Sequence, residues 1–274
     1  MIFCNIIYIF LFSFCTFLKG ENLQITKLME MKMEVPVVGP VIMTFNQTVA
    51  PGFYKNEEKR EAERLLFRWI GGDISGEIMI AGTDKIIKYD FSDEEYWLQS
   101  PKDYFAKKVK DTSNTKKTPY SFTFDFDDED NPPKISRHSE DNIEEIHGHR
   151  TRKWITTIAN SKKKMIIEEW YVKKLPLLDL HDSLKSEMIS LFNPGTVALS
   201  TNRFNFTSDL ILDRLDTLNS FETIPGRSLK SNFILYEGDV KPKFTISFQI
   251  IELYAESVDT AFFTIPEQFK KTVK

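Results

Sequence analysis

Near its end this chain alternates without a fault: Phe244, Ile246, Phe248 and Ile250 stand between Thr245, Ser247 and Gln249. A period of two sends successive side chains to opposite faces of an extended backbone, so such a run makes a strand with one dry and one wet face. The same period governs much of the chain. Leu23 and Ile25 alternate with Gln24 and Thr26. After a one-residue slip at Lys27-Leu28, Met29, Met31 and Met33 alternate with Glu30, Lys32 and Glu34. The slip reads as a β-bulge. Residues 37–45 continue extended, with a bend at Gly39-Pro40, and 74–81 and 85–91 form a hairpin around Gly82-Thr83-Asp84. Short strands are expected at 96–99 and 104–109. Residues 152–158 and 165–172 flank Asn160-Ser161-Lys162-Lys163 as a second hairpin, and 232–236 precede the terminal run.

Helical spacing shows in the middle of the chain. Leu177, Leu180, Leu184, Met188, Leu191 and Phe192 follow Pro176 and stop before Asn193-Pro194-Gly195. Ser208 is placed to cap a second helix carrying Ile211, Leu212, Leu215 and Leu218. A third amphipathic helix is expected over 56–70, with Leu65, Leu66, Trp69 and Ile70 behind a charged first half and Gly71-Gly72 after it. Residues 111–133 break the pattern. Lys116-Lys117, the acidic run Asp125 to Asp130 and Pro132-Pro133 mark a solvated insertion, within which Phe122, Phe124 and Phe126 alternate. Strands, then helices, then strands, without βαβ alternation, give an α+β fold: a mostly antiparallel sheet with short helices on one face.

Residues 1–18 are almost all apolar and hold the chain's two cysteines, Cys4 and Cys15. This is the pattern of a signal peptide removed near Gly20, leaving residues 21–274 as a single secreted or periplasmic domain. The mature chain then has no cysteine, which excludes disulfides, thiolate nucleophiles and Cys-ligated zinc. No Lys or Arg precedes the apolar run, and its length matches the shortest membrane spans, so an uncleaved membrane anchor is the alternative. Losing Lys19 with the leader takes the net charge from −4 to −5, which gives no pull toward nucleic acid or anionic headgroups.

The groups able to carry chemistry are few. His147 and His149 flank Gly148, and in a strand a spacing of two puts both imidazoles on one face, a weak metal site with no third ligand at a fixed spacing. His181 and Asp182 open the first central helix with Asp179 nearby, but no Gly-x-Ser-x-Gly supplies a nucleophile, and acids there are expected for capping and the helix dipole. Glu168 and Glu169 stand on opposite faces of a strand and cannot act as a carboxylate pair. Gly71-Gly72 and Gly76 lack the Lys-Ser/Thr of a phosphate loop. No catalytic residue and no cofactor is assigned. The aromatics remain: Trp154 and Trp170 on the two arms of one hairpin, and Phe233, Phe244 and Phe248 on the last strands. With Leu184 and Met188 from the helix they are the candidate lining of an apolar cavity. Their other fate is an ordinary core. Trp170, with Glu168 and Val172, is expected to face inward, and Tyr171 and Lys173 outward.

The C-terminal half carries a further pattern. Ile146-His147-Gly148-His149 leads to Trp154, and Glu169-Trp170-Tyr171-Val172-Lys173-Lys174-Leu175-Pro176 follows the turn. After the helices come Ile224-Pro225-Gly226-Arg227-Ser228-Leu229 and the closing Ala261-Phe262-Phe263-Thr264-Ile265-Pro266-Glu267-Gln268-Phe269-Lys270. Over roughly residues 65 to 271 this resembles an uncharacterised family of exported proteins with a Lol-type, lipoprotein-carrier-like sheet. Its motifs are short, and the insertion at 111–133 departs from it. The resemblance implies an incomplete antiparallel β-barrel, helices on its concave face, and a lipid or other apolar ligand with transient membrane contact. The expected function is thus a non-catalytic binding protein. The alternative is a structural or adhesive surface protein whose sheet is packed and holds no ligand.

Overall fold

The computed structural model describes residues 23–35, 39–62, 72–106, 131–194, 207–215, 217, 220–238 and 241–273. The leader at 1–20, both cysteines, the insertion from 111 to 130 and the 63–70 half of the expected first helix lie outside the described residues. The strands are β1 (Leu23–Val35), β2 (Gly39–Ala50), β3 (Phe53–Ala62), β4 (Ile74–Ile80), β5 (Ile86–Asp90), β6 (Glu95–Gln99), β7 (Lys134–Ile146), β8 (His149–Ala159), β9 (Lys163–Val172), β10 (Arg227–Glu237), β11 (Phe244–Ser257) and β12 (Lys270–Lys271). Among the described residues of the second half, two helices, α1 (Pro176–Phe192) and α2 (Ser208–Arg214), interrupt the strands.

The twelve described strands form one open sheet in the order β12-β6-β5-β4-β3-β2-β1-β11-β10-β9-β8-β7. It is two meanders joined back to back. β1 to β6 run outward in sequence order, β7 to β11 run inward, and the seam is β1 against β11. Every neighbouring pair is antiparallel except β12 on β6. Short turns explain the meanders. Asn160 Oδ1 accepts from the Lys162 and Lys163 amides to close β8–β9. His147 (φ 50°) and Gly148 (φ 77°) form a two-residue turn with both φ positive between β7 and β8.

Both helices cover the same face. Ile25, Met29, Met31 and Met33 lie in one phase of β1. Ile25 packs with Met188, Ile189 and Phe192 of α1, while the methionines pack with Ile211 and Leu212 of α2. The opposite face of the first meander is covered by the chain's own C-terminal segment. Phe263, in a 3-10 helix over Thr260–Phe263, and Phe269 pack there on Ala50, Ile78 and Tyr89. Tyr89 lies across Gly76 to donate to Glu57 at 2.9 Å, and a Cβ on Gly76 would stand 2.1 Å from its ring.

Four expectations are corrected. Residues 56–62 are not helical but the end of β3. Its charges alternate with a period of two, so Lys55–Glu57, Glu58–Arg60 and Lys59–Glu61 each pair on one face, at 3.2, 2.6 and 2.6 Å. Residues 101–106 are helical, where a strand was expected from 104. Ser100 Oγ accepts from the Asp103 amide at 3.1 Å and donates to the Asp103 carboxylate at 2.6 Å. Ser100-Pro101-Lys102-Asp103 is a capping signature with Pro at the first turn. β7 was not foreseen, because its sequence is polar nearly throughout; it is a charged edge strand. The irregularity near Lys27-Leu28 exists, but not as a slip of β1. β1 pairs with β2 without a break, while across β11 Leu28 meets Glu252 and Met29 meets Ile250, so the extra residue is Ile251. Lys27 therefore keeps the phase of Ile25 and Met29 and points at α1.

A candidate binding surface between sheet and helices

The helix-covered face is built largely of methionine. Met29, Met31, Met33, Met43 and Met165 pack with Phe45, Phe233 and Phe248 beneath α2, and Met79 packs beneath α1 with Met188 of that helix. Phe233 and Phe248 meet edge to face with centroids 6.0 Å apart. Phe244 packs half-buried on the same cluster, and Leu184 flanks the α1 cluster. Trp154 is half-buried and pairs across the sheet with Glu169, which reaches α2, so it too is on the helix side.

Trp170 faces the other way. The helix-side phase of β9 is Met165, Ile167 and Glu169, so the expected inward phase is reversed at Glu168 and Trp170, while Val172 at the strand's end does pack with Leu178 of α1. Trp170 is buried on the far face between two cross-strand lysines, Lys153 on β8 and Lys230 on β10, whose ammonium groups lie 5.2 and 4.7 Å from its ring centroid. Its indole N–H donates to Glu144 at 2.8 Å. Trp170 thus seals a charged outer surface.

Beneath α1 the apolar face is interrupted by charge. The buried stripe of α1 is Leu178, His181, Lys185, Met188, Ile189 and Phe192. The helix is rotated from the expected orientation, so that Leu177, Leu180 and Leu184 are half-buried and Leu191 is 58 % exposed. His181 and Asp182, expected as N-terminal acid and neighbour, are instead the middle of this contact. Asp182 Oδ1 takes Lys27 Nζ at 3.3 Å, and Asp182 Oδ2 takes the guanidinium of Arg227. Arg227 also reaches Asp179 at 3.6 Å. Lys185 donates to Gln47 Oε1 at 3.3 Å and lies 6.0 Å from the Tyr54 ring centroid. Gly226, at φ 106°, sets Arg227 in place. A Cβ there would stand 2.2 Å from the Val172 carbonyl oxygen, so only glycine lets β10 start so close to the end of β9.

Burial decides most of the electrostatics of this seam. It pushes the His181 imidazole down to about 4, against the opposing pull of its hydrogen bond to Asp182. It also lowers the Lys27 ammonium, against the attraction of Asp182. Burial pushes the Asp182 carboxyl up, but the hydrogen bond from His181 and the charges of Lys27 and Arg227 outweigh it and hold Asp182 well below the usual carboxylate range. A second buried acid, Glu169, stands under α2. It accepts from the Ser208 amide at 3.0 Å, from the Ser208 hydroxyl, and from Tyr171 at 3.3 Å. Arg137 sits beside it, bound to Ser208 Oγ at 2.8 Å and Asp209 at 2.6 Å. Here burial wins, and the Glu169 carboxyl lies above its ordinary value despite the Ser208 bonds.

Sequence reading missed Lys27, Gln47, Lys185 and Arg227. One signal was available: Lys27 occupies the dry phase between Ile25 and Met29, where a charge demands a partner. The other weak candidates do not assemble. His147 is in the turn rather than in a strand with His149, and no group of three or more His, Cys, Asp or Glu side chains able to hold a metal occurs among the described residues. No helix among the described residues is long and apolar enough to cross a membrane.

No protein-family model and no curated protein sequence matches this chain. Among solved structures it is similar to a LolA superfamily protein from Nitrosomonas europaea, at 8 % identity and a TM-score of 0.25, over 90 % of this chain and 91 % of that one.

Proposed function

We propose that the chain is an exported, non-catalytic binding protein that holds a lipid-like apolar ligand between its sheet and α1 and α2. The observation that supports this is the distribution of methionine. Seven of the eight methionines are buried on the helix-side face or on the helix above it, and the eighth is Met1. Methionine is unbranched, has three rotatable bonds, and repacks around guests of varied shape. A core under no such demand is better specified by Leu, Ile and Val. Trp154, Phe233, Phe244, Phe248, Leu184 and Met188 are the proposed lining, with Trp170 excluded by its face. Native mass spectrometry and lipid extraction of the purified protein are expected to reveal a bound apolar molecule, or uptake of an apolar fluorescent probe after delipidation. Protein that carries none and takes up none would overturn the reading.

A second reading has its own support. A hollow where Met29, Leu229, Phe248 and Ile250 meet the polar Thr207, Ser228 and Lys230 holds about 30 Å³, room for a water rather than an acyl chain. A packed structural or surface protein fits that directly, whereas the binding protein requires α1 or α2 to lift.

A further inference from the structure

We propose that the polar seam beneath α1 is a headgroup site for a long-chain carboxylic acid, with the acid group meeting Lys27, Gln47 and His181 while its chain runs along the methionine-rich face; this rests on the apolar-ligand reading above. Gln47 and His181 are both fully buried, and each has one polar atom without a partner: Gln47 Nε2 and His181 Nε2. Such atoms are costly unless a group fills them. They belong to one place. Gln47 pairs directly with Lys27 across β1 and β2. Lys185, one turn beyond His181, reaches Gln47, and Lys27 reaches Asp182, the residue next to His181. On the same strands Ile25 and Met29 flank Lys27, and Phe45 and Val49 flank Gln47, so apolar surface begins on either side of the seam.

The hydrogen-bond valences name the ligand. His181 Nδ1 lies 3.2 Å from Asp182 Oδ1, which makes Nδ1–H the donor to the carboxylate and leaves Nε2 a bare acceptor. Gln47 Nε2 is a donor. One group that accepts from Gln47 and shares a proton with His181 satisfies both, and a carboxyl does so. Its carbonyl oxygen accepts from Gln47, and one proton lies between its second oxygen and His181 Nε2. Lys27 favours the anion, so the acid binds as carboxylate beside a protonated His181 that Asp182 holds, and one proton is taken up with it. Asp182 favours that protonation, while Lys27 of β1 and Lys185 of α1 oppose it, and Arg227 of β10 meets the ring's neighbour Asp182.

Titration calorimetry of the delipidated protein with palmitate and with methyl palmitate tests this. Palmitate is expected to bind about tenfold or more tightly than its ester, the scale of a charge-assisted hydrogen bond. Repeating the titration in buffers of different ionisation enthalpy is expected to show uptake of close to one proton near neutral pH. Lys27→Met and Gln47→Met are each expected to reduce palmitate to the affinity of the ester and to leave the ester unchanged. Gln47→Met keeps the pairs among Lys27, Asp182 and Arg227, so it decides the matter if Lys27→Met does not fold. Equal affinity of acid and ester would overturn the headgroup site while leaving the apolar-ligand reading intact. Failure of both to bind would overturn both.

Discussion

α1 and α2 rest on the same face of the same sheet and are fastened there at different places. α2 is a single short helix of 7 residues that sets Ile211 and Leu212 into methionine and phenylalanine. The acid buried beneath it, Glu169, is on the sheet and meets the helix through Ser208. α1 has 17 residues and buries His181 and Lys185 while leaving three leucines half-exposed. Its acid, Asp182, is on the helix and meets two cations from the sheet. The pKa directions separate accordingly. Two cations and an imidazole keep Asp182 ionised, whereas burial raises Glu169 above its ordinary range. Charge fastens α1 in its middle, where Asp182 meets Lys27 and Arg227, and fastens α2 only at its first turn, where Asp209 meets Arg137. Beyond that turn α2 rests on methionine and phenylalanine, so its seat is the more adaptable of the two.

Removing the shared acid is the strongest way to break this contrast. Asp182→Asn leaves Lys27 and Arg227 facing each other with only a neutral amide between them. The expected loss is about 4 kcal/mol in urea melts, because stripping one partner from a buried pair leaves an uncompensated charge. A loss below about 1 kcal/mol, the value of an exposed pair, would mean that water already screens the seam. Leu212→Ala on the other helix is expected to cost about 3 kcal/mol, an ordinary large-to-small core loss. A much smaller value would show that the methionines close over the gap, which would sharpen the adaptable reading of that seat.

The sheet was legible in the sequence and the seam was not. Alternation located β1 and β11, each with one apolar phase, and turn residues between apolar runs located the β4–β5 and β8–β9 hairpins. β3 and β7 escaped because their stability comes from cross-strand pairing of polar residues, which leaves no hydrophobic period to read. The extent of α1 was clear from its leucines, yet its orientation was not. The leucine stripe predicts one buried face, and tertiary pairing of Asp182 with Lys27, about 150 residues away, selected another. The same holds for Trp170. Its size suggests core, but the strand phase is set by Ile167 and Glu169, and the indole is buried by lysine stems and Glu144. Nothing local records which acid a lysine will meet.

The two helices also differ in how acid should act on them. The His181 imidazole is held at about 4 in the fold, against an ordinary 6.5. The unfolded chain thus binds this proton first, and stability present above pH 6.5 is lost as pH falls toward 4. The loss is expected to be about 2 kcal/mol by about pH 5 in ligand-free protein, from the linkage of those two values. His181→Gln is expected to flatten this part of the pH profile. An unchanged slope in the variant would place the acid sensitivity elsewhere.

The smallest effect is expected at the second acid, and it tests the comparison from the other side. Glu169 is already pushed toward its neutral form by burial, so replacing it with glutamine removes little that the fold depends on. The amide oxygen of the substituted side chain keeps the bond from the Ser208 amide, and the Ser208 hydroxyl turns to accept from the new NH₂. Arg137 keeps Asp209. Glu169→Gln is therefore expected to cost under about 1 kcal/mol, near one net hydrogen bond. Its pH signature runs opposite to that of His181. A folded-state pKa above the unfolded one contributes stability at low pH that is lost as pH rises through the folded value, so wild type should lose ground to the variant as pH increases. Paired urea melts of the two proteins across the acid range would show it. A loss as large as that of Asp182→Asn, or a gap that widens in favour of wild type with rising pH, would mean that Glu169 is held charged and that both helices are fastened in the same way.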